Sequence, residues 1–170
     1  MHQEHATLHA GQAAPLFSLP DADMEPVKLA QYRGKKNVVL YFYPRDGTPG
    51  CILQATDFSD HESDFAQHDC VVMGVSPDDC LCHAEFRDAN GVSIRLLSDT
   101  NNAVCARYGV LRQGTGGSAQ GGGSGEGAKR NVTRATFIID KHGTVRHAMY
   151  NVIPRGHAAE VLTLVKKLPR

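Results

Sequence analysis

Apolar and polar residues alternate along this chain in two periods. Residues 37–43 (NVVLYFY), 70–76 (CVVMGVS) and 135–140 (ATFIID) are short apolar runs rich in β-branched and aromatic side chains. The first two are apolar at successive positions, the pattern of strands covered on both faces. Residues 144–152 (TVRHAMYNV) follow the third run after Asp140-Lys141-His142-Gly143, a hairpin turn signal. Residues 51–68, between the first two runs, are long enough for a helix, so 37–76 reads as a β-α-β unit. Ser76-Pro77-Asp78-Asp79 predicts a second helix, with Ser76 as N-cap and Pro77 in the first turn. Residues 101–109 (NNAVCARYG) look helical, and residues 156–168 form an amphipathic helix with Val161, Leu162 and Val165 on its inner face. The expected class is α/β.

One segment breaks the pattern. Residues 112–127 hold eight of the chain's 17 glycines and cannot bury a core, so a glycine-rich loop is expected there. No Lys-Ser or Lys-Thr follows those glycines, which removes a phosphate-binding loop. A length of 170 residues suits a single domain spanning 1–170. Eighteen basic residues balance eighteen acidic ones, leaving no electrostatic reason to expect nucleic acid or an anionic membrane as partner. The first fifteen residues lack the basic start and greasy middle of a secretory signal. A cytoplasmic setting is therefore expected, where thiols stay reduced and five cysteines are no static disulfide framework.

The chemistry concentrates at Thr48-Pro49-Gly50-Cys51. Thr48 suits an N-cap and Pro49 the first helical position, where its missing N–H has no intrahelical partner to lose. Cys51 then falls at the third position, where free N–H groups and the helix dipole converge on a negative group. A thiol held there is expected below its free value of about 8.5, toward the nucleophilic thiolate. The Thr48 hydroxyl is within reach of the sulfur or of a bound oxygen. The residues alone leave an inert core thiol as an equal alternative.

The segment PRDGTPGC matches the Pro-x-x-x-Thr-x-x-Cys motif at Pro44, Thr48 and Cys51. With GQAAPLFSLPD, GVSPD, LLSD, TRATFIID and YNVIPRGHAAEVL in order along the chain, it resembles the peroxiredoxins, and within them the bacterioferritin-comigratory (PrxQ-type) group. The resemblance implies a thioredoxin fold with a central mixed sheet flanked by helices. It implies reduction of hydrogen peroxide or alkyl hydroperoxides without metal, flavin or other cofactor, with thioredoxin as reductant. Cys51 would be the peroxidatic cysteine, Thr48 would orient the peroxide, Pro44 would shield the sulfur from water, and Arg134 would stabilise the negative charge. Gln54 would support the backbone of the site. A monomer or weak homodimer is expected.

The chain departs from that group in its resolving cysteine. Thr56 and Arg87 stand at the two positions where its members carry one. Cys80 lies two helical turns before Arg87 on the same face, whereas Cys82 shares a face with Phe86 and Ala89. Cys80 is thus the expected resolver and Cys82 the expected core residue, with a one-cysteine mechanism open. Cys70 and Cys105 read as structural. The Cys80-x-Cys82-His83 grouping is too tight for a usual metal knuckle, and His2, His5 and His9 read as solvated residues of a loose terminus. Two other functions compete. A thiol–disulfide oxidoreductase would need a Cys-x-x-Cys pair, but Ile52, Leu53 and Gln54 follow Cys51. A redox sensor or chaperone-like protein would use the same thiol without turning over.

Overall fold

Strand β3 (Asn37–Phe42) is buried at every position, and β4 (Cys70–Ser76) runs parallel beside it with Tyr41 opposite Gly74. These two are the centre of a computed structural model that describes residues 7–112 and 131–169. Before them lie an antiparallel hairpin of β1 (Ser18–Pro20) and β2 (Pro26–Lys28) and a 3-10 turn, Leu29–Tyr32. Helices α1 (Pro49–Asp60) and α2 (Glu62–Gln67) join β3 to β4. Then come α3 (Cys80–Asn90), β5 (Arg95–Ser98), α4 (Ala103–Arg107), and a short pair, β6 (Leu111–Arg112) and β7 (Asn131–Val132). Strands β8 (Ala135–Ile139) and β9 (Val145–Tyr150) and helix α5 (His157–Lys166) complete the order. The five-stranded sheet runs β5-β4-β3-β8-β9, parallel across β5, β4 and β3 and antiparallel from β3 through β9.

The alternation of side chains along each strand divides the core in two. Val38, Leu40 and Phe42 face the side covered by the amino-terminal hairpin and α4, together with Phe137 and Tyr108. Val39, Tyr41 and Tyr43 face the side covered by α1, α2, α3 and α5. There Val161, Leu162 and Val165 of α5 are buried, as their spacing predicts. Gly74 is required by this packing, because a Cβ there would lie 2.7 Å from Cζ of the buried Tyr41. The mixed sheet with helices on both faces is the architecture expected from the sequence.

Several local expectations are corrected. The helix expected over 51–68 is broken at His61, and the bend brings Phe65 to 6.1 Å from Phe58, ring to ring. Helix α3 starts at Cys80, with Asp79 and not Ser76 as N-cap, and the Asp79 carboxylate accepts the Cys82 N–H at 2.8 Å. Ser76 ends β4, and its hydroxyl donates to Asp78 Oδ2 at 2.7 Å and accepts the Asp78 N–H at 3.2 Å, closing a turn ahead of the helix. The inner face of α3 carries His83 and Phe86, whereas Cys82 and Ala89 are exposed; Cys82 is not a core residue. The amino-terminal segment is docked from Leu8 onward: the Leu8 N–H donates to the Tyr150 hydroxyl and the Gly11 N–H to the Val145 carbonyl. His9 is exposed, while His2, His5 and the expected glycine-rich loop beyond Arg112 lie outside the described residues. No helix among the described residues is long and apolar enough to cross a membrane.

Candidate active site

The carboxyl end of β3 and the amino end of β8 meet at one edge of the sheet, with Phe42 opposite Ala135. The chain leaving β3 turns through residues 43–48 and enters α1 there, while Arg134 stands just before β8. Thr48 is the N-cap, with extended backbone, and its carbonyl accepts the Ile52 N–H at 2.9 Å. Pro49, Gly50 and Cys51 then occupy the first three helical positions, as the sequence predicts.

Cys51 is buried, with 2% of its surface exposed. Arg134 Nη2 donates to Cys51 Sγ at 3.2 Å, and Arg134 Nη1 donates to Gln54 Oε1 at 3.0 Å. Gln54 lies one helical turn after Cys51, so the two acceptors sit side by side and fix both arms of the guanidinium. Gln54 Nε2 is buried without an acceptor among the described residues, which leaves its two N–H donors over at the site. Gly50 makes this geometry possible. A Cβ at that position would lie 2.8 Å from Arg134 Nη2 and 3.7 Å from Pro154 Cγ. Pro44 is half-buried in the loop preceding the helix. The Thr48 hydroxyl is turned toward the Arg45 carbonyl at a long 3.5 Å.

The loop is anchored from below by a buried polar network that sequence reasoning missed. His83 is fully buried, and its two ring nitrogens lie 2.6 Å from Asp46 Oδ2 and 2.9 Å from the Leu97 carbonyl. The ring is thus held from both sides, by the carboxylate at Nδ1 and the carbonyl at Nε2. The Tyr43 hydroxyl donates to Asp46 Oδ1 at 2.7 Å, and the Asp46 N–H donates to Asp78 Oδ2 at 2.7 Å. Residues 43–48 are thereby tied to β4, β5 and the start of α3. Asp46, Asp78 and His83 form a cluster of potential metal ligands, but these hydrogen bonds already occupy the oxygens and nitrogens that would have to face an ion. His83 turns into the core while Cys82 faces solvent, so those two do not converge on one site. Two signals for the network were available: Asp46 lies inside the motif, and His83 is a histidine on the apolar stripe of a helix.

All five cysteines are free thiols. Burial pushes the Cys70 thiol up to about 12 and Cys105 well above its usual value, so both stay protonated, in accord with structural roles. Burial, with the neighbouring Cys51, likewise holds the Tyr41 phenol well above the usual range. Cys80 is half-buried and Cys82 exposed, in the first turn of α3. The Thr56 hydroxyl is bonded back to the Ile52 carbonyl at 2.8 Å.

The AhpC/TSA family matches residues 10–148, most of the chain. The chain belongs to this family. Peroxiredoxin Bcp of Bacillus subtilis is 36% identical over 164 residues, which cover 95% of this chain and 98% of that protein. Among solved structures, PrxQ of Xylella fastidiosa superposes with a TM-score of 0.84 at 27% identity, covering 95% of this chain and 97% of that one. The bacterioferritin comigratory protein of Xanthomonas campestris, described by its alkyl peroxide reduction activity, gives a TM-score of 0.80 at 26% identity, covering 95% and 98%. The fold of this family member is accordingly the thioredoxin fold of peroxiredoxins.

Proposed function

We propose that the protein is a thiol peroxidase that reduces hydrogen peroxide and organic hydroperoxides through Cys51. The observation that carries this reading is the 3.2 Å hydrogen bond from Arg134 to the Cys51 sulfur at the third position of α1. A thiolate there faces a fixed cation, a helix start and free N–H groups, all of which favour negative charge on sulfur. Attack on the nearer peroxide oxygen breaks the O–O bond and leaves a sulfenic acid on Cys51, while the farther oxygen departs as water or an alcohol after protonation. Arg134, held in place by Gln54, lies where charge develops as that bond breaks. Thr48 contributes a hydroxyl that rotates toward a bound peroxide, and Pro44 keeps water from the sulfur.

The sulfenic acid is then resolved by Cys80 or Cys82 and recycled by a thioredoxin-type dithiol in the cytosol. Family membership supports the peroxide substrates and the thioredoxin-type reductant. Steady-state consumption of peroxide in the presence of thioredoxin and its reductase tests the proposal. Many turnovers per chain are expected; a single turnover that then stops marks a sensor and overturns it.

A further inference from the structure

Cys51 is the wrong sulfur for an outside reductant to reach, with only 2% of its surface exposed. The first turn of α3 offers a different one. It carries two thiols, Cys80 half-buried at the first helical position and Cys82 exposed at the third. Between them Leu81 leaves 69% of its surface in solvent, an apolar contact for an incoming partner beside the sulfurs. This turn is placed close to the loop that leads to Cys51, because the Asp46 N–H is bonded to Asp78 just ahead of it.

We propose that Cys80 and Cys82 act in series, so that oxidation ends as a Cys80–Cys82 disulfide and Cys51 is freed before any reductant arrives. The proposal rests on the peroxidase reading above. In the first step the Cys80 thiolate attacks the sulfenic sulfur of Cys51, forming the Cys51–Cys80 disulfide and releasing the oxygen as water. In the second, the Cys82 thiolate attacks the Cys80 sulfur, the Cys80–Cys82 bond forms, and Cys51 leaves as a thiolate. The second step is an exchange, with no net oxidation. A dithiol partner later reduces the exposed product.

The direction of exchange follows from the leaving group. A disulfide sulfur is expelled fastest as the more stable thiolate, and Cys51 returns to the Arg134 hydrogen bond, whereas no cation is bonded to Cys80 or Cys82 among the described residues. Helix geometry sets Cα atoms two residues apart at about 5.4 Å, inside the disulfide range of roughly 4.4–6.8 Å. The Cβ directions diverge in an intact helix, so the turn must open. It is held by the exposed Asp79 cap, and helix ends open most readily. Formation of the Cys51–Cys80 bond already requires that opening, since Cys80 is the first residue of α3. While the turn is closed, the hydrogen bond to Asp79 raises the Cys82 thiol and keeps it protonated; opening removes this restraint.

Reduced protein, freed of reductant and titrated with hydrogen peroxide, tests the relay. Linkages are read by non-reducing peptide mapping and Cys51 by alkylation. After one equivalent the wild type should carry Cys80–Cys82 with Cys51 alkylatable, and a second equivalent should be consumed as fast as the first. Cys82→Ser, a change at an exposed position, should stop after one equivalent with Cys51 joined to Cys80. A wild type that ends as Cys51–Cys80 or Cys51–Cys82 and leaves the second equivalent unconsumed overturns the relay alone. Failure of the first equivalent to oxidise Cys51 at all overturns the peroxidase reading and the relay with it.

Discussion

Replacing Asp46 should unfold the protein several degrees early, although Asp46 touches neither the Cys51 sulfur nor Arg134. Its carboxylate is the acceptor for two buried donors, the Tyr43 hydroxyl at 2.7 Å and His83 Nδ1 at 2.6 Å. The two side chains of the ion pair are 8% and 0% exposed, so solvent screens little of the interaction. Asp46→Ala removes the carboxylate from both His83 Nδ1 and the buried Tyr43 hydroxyl, while Nε2 keeps the Leu97 carbonyl. Breaking a buried pair from one side costs about 3–5 kcal/mol, and at this chain length each kcal/mol moves Tm by roughly 2–4 °C. A fall of about 6–20 °C is therefore expected, read by thermal unfolding at pH 7 under reducing conditions. Asp46→Asn keeps the size and one acceptor oxygen. The new amide can then bond His83 Nδ1 while Nε2 keeps the Leu97 carbonyl. The loss is that between a charge-assisted and a neutral hydrogen bond, about 1 kcal/mol, or roughly 2–4 °C. An alanine variant within about 4 °C of wild type, or an asparagine variant as damaged as the alanine one, would refute the buried-pair argument.

Arg134→Ala removes the donor at the sulfur and should slow the second-order reaction with peroxide by about 10²–10³ while the fold persists; a wild-type rate in stopped flow would refute its charge role. Gly50→Ala would place a methyl 2.8 Å from the guanidinium nitrogen that reaches Cys51, and the end of that flexible side chain is what yields. Peroxide reactivity should therefore drop at nearly unchanged Tm, whereas a fall in Tm with reactivity kept would contradict this placement. Burial lowers His157, whose Nε2 lies 2.8 Å from the Thr136 hydroxyl. Below its unfolded value of about 6.5 the unfolded chain binds the proton that the native state refuses, so stability falls as pH drops from there toward the folded value. His157→Gln should flatten that slope between pH 7 and 5, and an unchanged slope would exclude His157 as its source.

Periodicity made the centre of the fold legible, and it failed where tertiary contacts overrode local pattern. The bounds of β4 agree with the apolar run 70–76, because a strand buried on both faces advertises itself in sequence. Strand β5 has only four residues and opens on the exposed Arg95, and β1 and β2 have three each, too few to display a period. The start of α3 was misread because Ser76-Pro77 reads locally as a cap, whereas Asp46, thirty-two residues before Asp78, draws that turn into the loop network. The Asp46 carboxylate and the Leu97 carbonyl turn His83 inward and leave Cys82 in solvent, which no helical wheel shows. Thr48 and Cys51 were legible as a helix start. The Arg134–Cys51 bond spans 83 residues, and only the family resemblance pointed to it.

The central claim is that one buried thiol at a helix start performs the peroxide chemistry, and Cys51→Ser tests it most directly. Serine keeps the size and the helical position while removing the nucleophilic sulfur, and Cys70, Cys80, Cys82 and Cys105 remain. Peroxide consumption with thioredoxin and its reductase should vanish in this variant at wild-type Tm. Retention of more than a few per cent of the wild-type rate would contradict the account, because another thiol would then be the nucleophile.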